Sequence, residues 1–285
     1  MNESMDNGAI ASLKTLNEQL TCELFEVNKL LKESEAFKSH FISNVTNEIL
    51  NPFSSILALS ENFRNMDKTD LEQAKKMAAL IYQEAFHLDF QLKNVFAAAM
   101  IEAGLDDPIP VQVNLSELVR RTIRFFSYET ERKQLEVDLT IDDHDQRLLT
   151  TFVTDELKLE LVIKNLLSNA FKFSYRGGKI QVMAGIANNK FFWQIRDFGA
   201  GVLPEEYKVI FNRFKQLDQS IHSLNTGQGL GLSIVKAYLP ALNGTIVLEN
   251  PETGGLKVKI ELPELSIPAD YDDLDNFLLT GEEKF

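Results

Sequence analysis

The apolar positions of the first hundred residues recur at helical spacing. Over residues 10–40 they fall at Leu13, Leu16, Leu20, Leu24, Val27 and Leu31. Steps of three and four along one narrow seam predict a helix of coiled-coil or bundle type, and the pattern runs on toward Phe41 and Val45. Proline lacks a backbone donor and crowds the preceding turn, so Asn51-Pro52 should kink this helix. The spacing resumes at Phe53, Ile56, Leu57 and Leu59, and the polar stretch Asn65–Asp70 predicts a turn. A second helix is predicted from about Leu71 to Ala103, with its stripe at Met77, Ile81, Leu88, Leu92, Val95 and Ala99. Gly104 follows, in the position where glycine closes helices. Two long helices joined by a turn make a hairpin that cannot bury both its faces. The expected completion is an all-α, dimeric four-helix bundle.

The pattern changes after Asp106–Pro110, which reads as a linker. Asn114 and Glu117 have capping-box spacing ahead of an apolar run through Leu118, Ile123 and Phe126. Leu135, Val137, Leu139 and Ile141 alternate as a strand. A helix over Glu156–Phe173 follows, then strands at Ile180–Ile186 and Phe191–Arg196. Next come a helix, a loop, a helix at about Leu230–Leu242, and strands at Thr245–Leu248 and Leu256–Leu262. Helices and strands are mixed without strict alternation. That predicts an α+β two-layer sandwich with helices on one face of a mixed sheet.

Composition narrows the function classes. The chain has 285 residues, 44% of them hydrophobic, enough for a sizeable core in one or two domains. Its net charge of −13 argues against general nucleic-acid binding and against docking on anionic membranes, since both need a basic face. Seven acidic residues and one basic residue lie between Glu264 and Phe285, so the body is only mildly acidic. Within this tail Tyr271, Leu274 and Leu278 have helical spacing, which leaves two readings: a short partner-binding helix or, favoured by the composition, a solvated tail. Cys22 has no second cysteine to pair with. The mild apolar run Val95–Ile101 falls well short of a membrane span, and the first residues lack the order of a signal peptide. A cytoplasmic protein with no membrane segment is expected.

Three segments carry chemistry. In Asn165-Leu-Leu-Ser-Asn169-Ala-Phe-Lys172-Phe173, the residues Asn165, Asn169 and Lys172 share one helix face. Carboxamide oxygens beside a cation suit a Mg²⁺-bound polyphosphate, because magnesium prefers hard oxygen ligands and shares them with phosphates. In Arg196-Asp197-Phe-Gly199-Ala-Gly201, an acid ends a strand and two glycines follow. A buried carboxylate there can accept a hydrogen bond from an exocyclic amine such as that of adenine, and the glycines let backbone approach the base. In Gly227-Gln-Gly229-Leu-Gly231-Leu-Ser, glycines precede a helix whose first N–H groups can hold phosphate. No strand directly precedes them and no Gly-Lys-Ser/Thr follows, so they form neither a dinucleotide fingerprint nor a P-loop.

Each segment is modest by itself, but the ordered set, with Ile210-Phe-Asn-Arg-Phe214 between the glycine segments, resembles the histidine-kinase superfamily over about residues 36–263. The resemblance implies the following division: a coiled-coil-like lead-in over 1–35, a dimerisation hairpin over 36–105, a linker over 106–113, an ATP-binding domain over 114–263 and an acidic tail over 264–285. It implies that Asn165 and Asn169 hold Mg²⁺, that Lys172 contacts phosphate and that Asp197 reads the adenine amine. Phe173 would pack on the adenine. Gly199, Gly201, Gly227, Gly229 and Gly231 would shape the pocket and its lid, with residues 212–228 as the mobile part. It also implies homodimerisation through the hairpin and a response-regulator receiver domain as partner. About 35 residues precede the hairpin, so input is expected through the coiled coil, the tail or a partner.

The hairpin departs from the family at one chemically decisive position. In Asn47-Glu48-Ile-Leu50-Asn51-Pro52, Asn47 stands where the family has its phosphoacceptor histidine, and Leu50 stands where arginine is usual. A carboxamide nitrogen is not a nucleophile, because its lone pair is delocalised into the carbonyl, and a neighbouring Glu48 cannot restore it. Autophosphorylation at position 47 is therefore expected to be lost. Asparagine is also a plausible engineered replacement for histidine; Leu50, as a second departure, tilts the reading slightly toward natural divergence. His40, His87, His144 and His222 have no supporting motif. Glu48 and Asn51 still match the pattern with which related kinases dephosphorylate their receiver partner, where Asn51 would position water. Two readings stand. One is an Mg-ATP-binding signalling protein of the kinase class that acts as phosphatase or modulator of a response regulator. The other is a non-catalytic binding module, a pseudokinase with ATP as conformational ligand. A third, another ATPase or serine kinase of the same ATP-binding superfamily, is disfavoured by Glu48 and Asn51-Pro52.

Overall fold

The computed structural model describes residues 14, 17, 19–29, 46, 49–65, 70–142, 152–207, 209–211 and 229–267. The chain divides into two units, Met1–Asn51 and Pro52–Phe285. In the first unit residues 19–29 are helical, as the seam predicts, and Leu20, Leu24 and Val27 are exposed. Asn47, Glu48, the proposed lid over 212–228 and the tail beyond residue 267 lie outside the described residues.

The second unit opens with helical residues 52–64, Pro52 among them. Helix α1, Leu71–Ala103, has both ends where the sequence sets them. Asp70 Oδ1 accepts the N–H of Gln73 at 2.9 Å. Gly104 adopts φ 66° and donates to Ile101 C=O. The left-handed conformation is what its missing Cβ permits.

After a short strand β1 (Val111–Val113), helices α2 (Leu115–Phe125) and α3 (Ser127–Lys133) lead to strands β2 (Glu136–Asp142) and β3 (Phe152–Thr154). Asn114 caps α2 by accepting from Glu117 N–H at 2.9 Å, the predicted spacing. Helix α4 (Glu156–Phe173), strands β4 (Lys179–Ala187) and β5 (Lys190–Asp197), helix α5 (Gly231–Ala241) and strands β6 (Thr245–Glu249) and β7 (Lys257–Pro263) complete the order. Among the described residues the larger sheet runs β2-β4-β5-β7-β6, and β1 pairs with β3. β2 lies parallel to β4 and the other neighbours are antiparallel, which makes the sheet mixed as expected. Asn188 and Asn189, at φ 53° and 59°, join β4 to β5 as a tight primed turn that matches the twist of the strands.

Every second residue of the central strands enters the core. Ile180, Val182 and Ala184 of β4, Phe191, Trp193 and Ile195 of β5, and Val258, Ile260 and Leu262 of β7 are all buried. Trp193 sits opposite Ala184 on one side and Ile260 on the other, so the largest side chain has a small neighbour across one ladder. Helices α2, α4 and α5 cover this face, giving a two-layer α/β domain attached to the N-terminal helical region.

Helix α1 belongs to the same core. Phe90, Ala97 and Ala98 are buried in one cluster with the domain's side chains, and Asn94 is buried among them. Phe86 packs on Phe125 with centroids 3.9 Å apart, Phe125 lies 4.9 Å from Phe126, and Phe126 stacks on Phe171 of α4 at 5.1 Å. The predicted stripe at Met77, Ile81, Leu88, Leu92 and Val95 is half-buried, and Ala99 is exposed. The face that docks on the domain is thus the one with Phe90, Asn94, Ala97 and Ala98, beside the stripe read from sequence. The linker is tied down as well. Asp155 Oδ2 accepts Ile109 N–H at 2.9 Å, and Lys158 Nζ lies 3.0 Å from Asp106 Oδ1. Burial beside Asp106 and Asp155 pushes the Tyr238 phenol well above its ordinary range.

His87 of α1 and Glu129 of α3 form a close hydrogen-bonded pair through Nε2 and Oε1. This bond raises the His87 pKa above its ordinary value against the opposing effect of burial; Glu84 adds to the shift and Arg132 subtracts from it. The stabilisation is complete below about pH 6.5, the free imidazole value, and fades as pH rises through the raised folded-state value. Thermal unfolding of the wild type and His87→Gln should differ by roughly 0.5–1 kcal/mol at the acidic end, the scale of a partly exposed pair. The two should converge at alkaline pH, and a gap that does not change with pH would contradict this account.

Candidate functional site

Helix α4 carries most of the candidate residues and is anchored at both ends. At its start, Asp155 is buried and accepts Lys158 N–H at 2.9 Å. At its end, Lys133 Nζ donates to the carbonyls of Phe171, Lys172 and Ser174 at 2.8, 2.7 and 3.2 Å. An ammonium there meets the negative end of the helix dipole and supplies donors to carbonyls with no helical partner. Burial lowers the Lys133 pKa, with Arg132 adding to the shift. The last turn, with Asn169, Lys172 and Phe173, is fixed by this clamp and by the Ser174 hydroxyl donating to Ala170 C=O at 2.7 Å.

Asn165 is buried, and its Nδ2 donates to Leu161 C=O at 2.9 Å and to Asn94 Oδ1 of α1 at 2.7 Å. With the nitrogen so occupied, Oδ1 faces the first residue of α5. A Cβ placed on Gly231 would come within 2.6 Å of it, so this approach depends on glycine. The N-cap of α5, Leu230, makes no side-chain capping bond, which leaves the first N–H groups of the helix to other acceptors. One turn along α4, Asn169 Nδ2 is buried and has no partner among the described residues. A buried donor left unmatched is costly unless a ligand or water takes it up. Lys172 Nζ lies 5.1 Å from the Phe173 ring centroid, and Phe173 is half exposed.

Asp197 ends β5 and is buried. Its Oδ1 accepts from Gly199 N–H at 2.9 Å and from Leu256 N–H at 3.3 Å. Burial raises its pKa, while these backbone donors restrain the shift. The chain around it is too close for side chains. A Cβ on Gly199 would lie 2.2 Å from Phe173 C=O, and one on Gly255, at φ +80°, would lie 2.0 Å from Asp197 C=O. The β5 loop therefore sits directly on the end of α4 and brings Asp197 beside Phe173.

The predicted set thus divides. Asn165, Asn169, Lys172, Phe173, Asp197, Gly199, Gly201, Gly229 and Gly231 fall on the end of α4, the β5 loop and the start of α5. Gly227 lies outside the described residues, and Asn51 is helical and exposed in the first unit. Asn94, Lys133 and Gly255 were not singled out from sequence. A buried carboxylate, close-approach glycines, amide groups and an open helix N-terminus suit a purine nucleotide with its phosphates. The unmatched Asn169 Nδ2 is a donor that fits a phosphate oxygen, and the Asn165 oxygen facing α5 fits a cation bound with it.

Residues 154–266 match the family model of the histidine kinase-, DNA gyrase B- and HSP90-like ATPases. The hybrid signal transduction histidine kinase D of Dictyostelium discoideum is 30% identical over 246 residues, covering 85% of this chain and 16% of that protein. The chain spans between 16% and 33% of the length of the first curated relatives it matches. Among solved structures, full-length ShkA in complex with AMPPNP is similar with a TM-score of 0.54 at 23% identity, over 85% of this chain and 47% of that one. The histidine kinase ThkA in complex with the response regulator protein TrrA gives 0.50 at 21% identity, over 82% and 64%. At these identities the structural likeness speaks for the fold. The family match and the kinase relatives support the histidine-kinase superfamily, with a histidine kinase-like ATPase domain over the matched residues. No helix among the described residues is long and apolar enough to cross a membrane.

The glycine contacts predict a graded response to added methyl groups. Gly254 and Gly255 both have positive φ, but a Cβ at Gly254 would meet open space. Gly254→Ala should cost roughly 1–2 kcal/mol from backbone strain. Gly255→Ala should cost several kcal/mol more, or abolish folding, because backbone rather than a flexible side chain must move. Urea unfolding of the two variants measures the difference.

Proposed function

We propose that this chain is a Mg-ATP-binding, histidine-kinase-like component of two-component signalling. It does not phosphorylate itself at position 47 and acts on a response-regulator receiver domain as phosphatase or modulator. The observation that carries the nucleotide part is the buried Asp197 held over Gly199 and Gly255 beside Phe173, together with the Asn165 amide oxygen that faces the start of α5. Asp197 accepts the adenine amine and Phe173 packs on the base. Gly199 and Gly201 allow the close approach. Asn165 and Asn169 hold Mg²⁺, Lys172 contacts phosphate, and Gly227, Gly229 and Gly231 shape the rim and its lid. Held by Asn165 and Asn169, a bound Mg²⁺ would neutralise phosphate charge and help orient the phosphates.

Asn47 offers no nucleophilic lone pair, so transfer to that position stops. Glu48 and Asn51 remain on the hairpin. In the phosphatase reading the Asn51 carboxamide orients a water toward the acyl phosphate of a receiver aspartate, a step that needs no histidine. The solved complex of a related fold with a response regulator supports a receiver as the partner class. Exposed Phe53, Leu57, Tyr82 and Phe96 on the hairpin helices support a second copy as the cover for their apolar faces. One observation favours the non-catalytic reading: α1 packs on the domain that carries the nucleotide residues, so nucleotide occupancy can be felt by the hairpin without chemistry.

Mg-ATP should raise the thermal midpoint of the wild type, and Asp197→Asn should weaken binding by about tenfold or more, the loss of a charge-assisted hydrogen bond. Labelled ATP should leave no acid-labile label on the wild type. Stable acid-labile label would overturn the lost-acceptor reading. With phosphorylated receiver domain, faster decay that Asn51→Ala abolishes supports the phosphatase; decay unchanged by the protein assigns the binding module.

A further inference from the structure

We infer that Asn94 of the hairpin helix is a positioning residue for the Asn165 amide, and that it thereby couples Mg-nucleotide affinity to the docking of the hairpin on the domain. The inference rests on the reading of Asn165 as a metal ligand. An amide ligates a cation through oxygen, so it must be held one way round. Both hydrogens of Asn165 Nδ2 are spoken for: one by Leu161 C=O at 2.9 Å, the other by Asn94 Oδ1 at 2.7 Å. A flipped amide would set its oxygen against the Leu161 carbonyl, which cannot turn, and against Asn94 Oδ1 unless that amide turned with it. Oδ1 therefore stays on the α5 side, where the missing Cβ of Gly231 leaves room for it. The Leu161 carbonyl belongs to α4 itself and is present whatever α1 does.

The second acceptor is different, because it arrives from another part of the chain. Asn94 is 4% exposed and Asn165 is 3% exposed, so the bond is shielded from competing water. Asn94 is carried on the buried face of α1 with Phe90, Ala97 and Ala98. Docking of that face supplies the acceptor, and undocking withdraws it. By linkage, whatever docking adds to Mg-nucleotide affinity, bound Mg-nucleotide adds to docking.

The full chain tests this through nucleotide affinity measured with Mg²⁺ and with EDTA, a readout independent of turnover. Asn94→Ala and Asn94→Leu both remove the acceptor, so either suffices if the other does not fold. Each should lower Mg-ATP affinity by about tenfold, the scale of a buried hydrogen bond to a ligand-bearing group, while affinity in EDTA stays within about twofold. Asn94→Asp keeps an acceptor and should recover most of the loss. Asn165→Ala should abolish the gain from Mg²⁺, and adding Asn94→Ala to it should change nothing further, because one residue acts through the other. Equal losses with and without Mg²⁺, or additive losses in the double variant, would reduce Asn94 to packing and overturn the inference. A wild type that binds nucleotide normally while the Asn94 variants match it would overturn the inference and leave the proposed function standing. A wild type that binds no nucleotide would overturn both.

Discussion

The clamping of α4 at its two ends, by the buried Asp155 carboxylate and the half-buried Lys133 ammonium, is the constraint on which the rest of the arrangement depends. At the N-terminus the Asp155 carboxylate takes Lys158 N–H on one oxygen and Ile109 N–H on the other, with Lys158 Nζ 3.3 Å away. A carboxylate buried this deeply is tolerable only when it is fully hydrogen-bonded. The same side chain therefore fixes both the start of the helix and the path of the linker. At the C-terminus Lys133 does the equivalent for three carbonyls. Between these clamps the apolar side chains of α4 fill the space over the sheet, and the axis cannot shift without breaking one end.

A helix so fixed can serve three neighbours at once. Its underside meets β5 and α5 through Leu159, Val162, Ile163, Leu166 and Leu167, all buried. Phe171 extends the aromatic row that reaches Phe86 on α1. Lys164 is buried, yet it is satisfied by Glu160 at 2.6 Å and by the Phe125 ring at 4.1 Å from its centroid. These contacts pack α1 against the helix that carries Asn165, Asn169 and Lys172. α1 touches Asn165 through one hydrogen bond and meets the last turn of α4 through the row of rings.

What could be read in the sequence follows from how local its cause is. The caps at Asp70, Gly104 and Asn114 are set by neighbours within four residues, and they stand where the sequence puts them. The long strands alternate because one face is covered, and alternation over seven to nine residues is readable. β1 and β3, at three residues each, are too short to show a period. The docked face of α1 escaped notice because alanines and one asparagine carry little apolar weight beside the stripe of larger residues on the neighbouring face. Asn94 and Lys133 act on partners 71 and 38 or more residues away, so no local pattern marks them. Gly255 has meaning only against Asp197 across the sheet.

Separation of the two units bears on how a chain of this kind can lose one chemistry and keep another. Position 47 lies in the first unit and the candidate nucleotide residues lie in the second. The glycines of the pocket are held by close contacts: Gly199 against Phe173, Gly231 against Asn165 and Gly255 against Asp197. Each contact is made within the domain and owes nothing to the residue at position 47. On the proposed reading, Asn47 lacks the nucleophile a histidine would supply, while these contacts are made by residues of the second unit. On the proposed reading, nucleotide binding and self-phosphorylation are then separable properties. On that reading the nucleotide keeps a connection to α1, which shares its buried face with the domain.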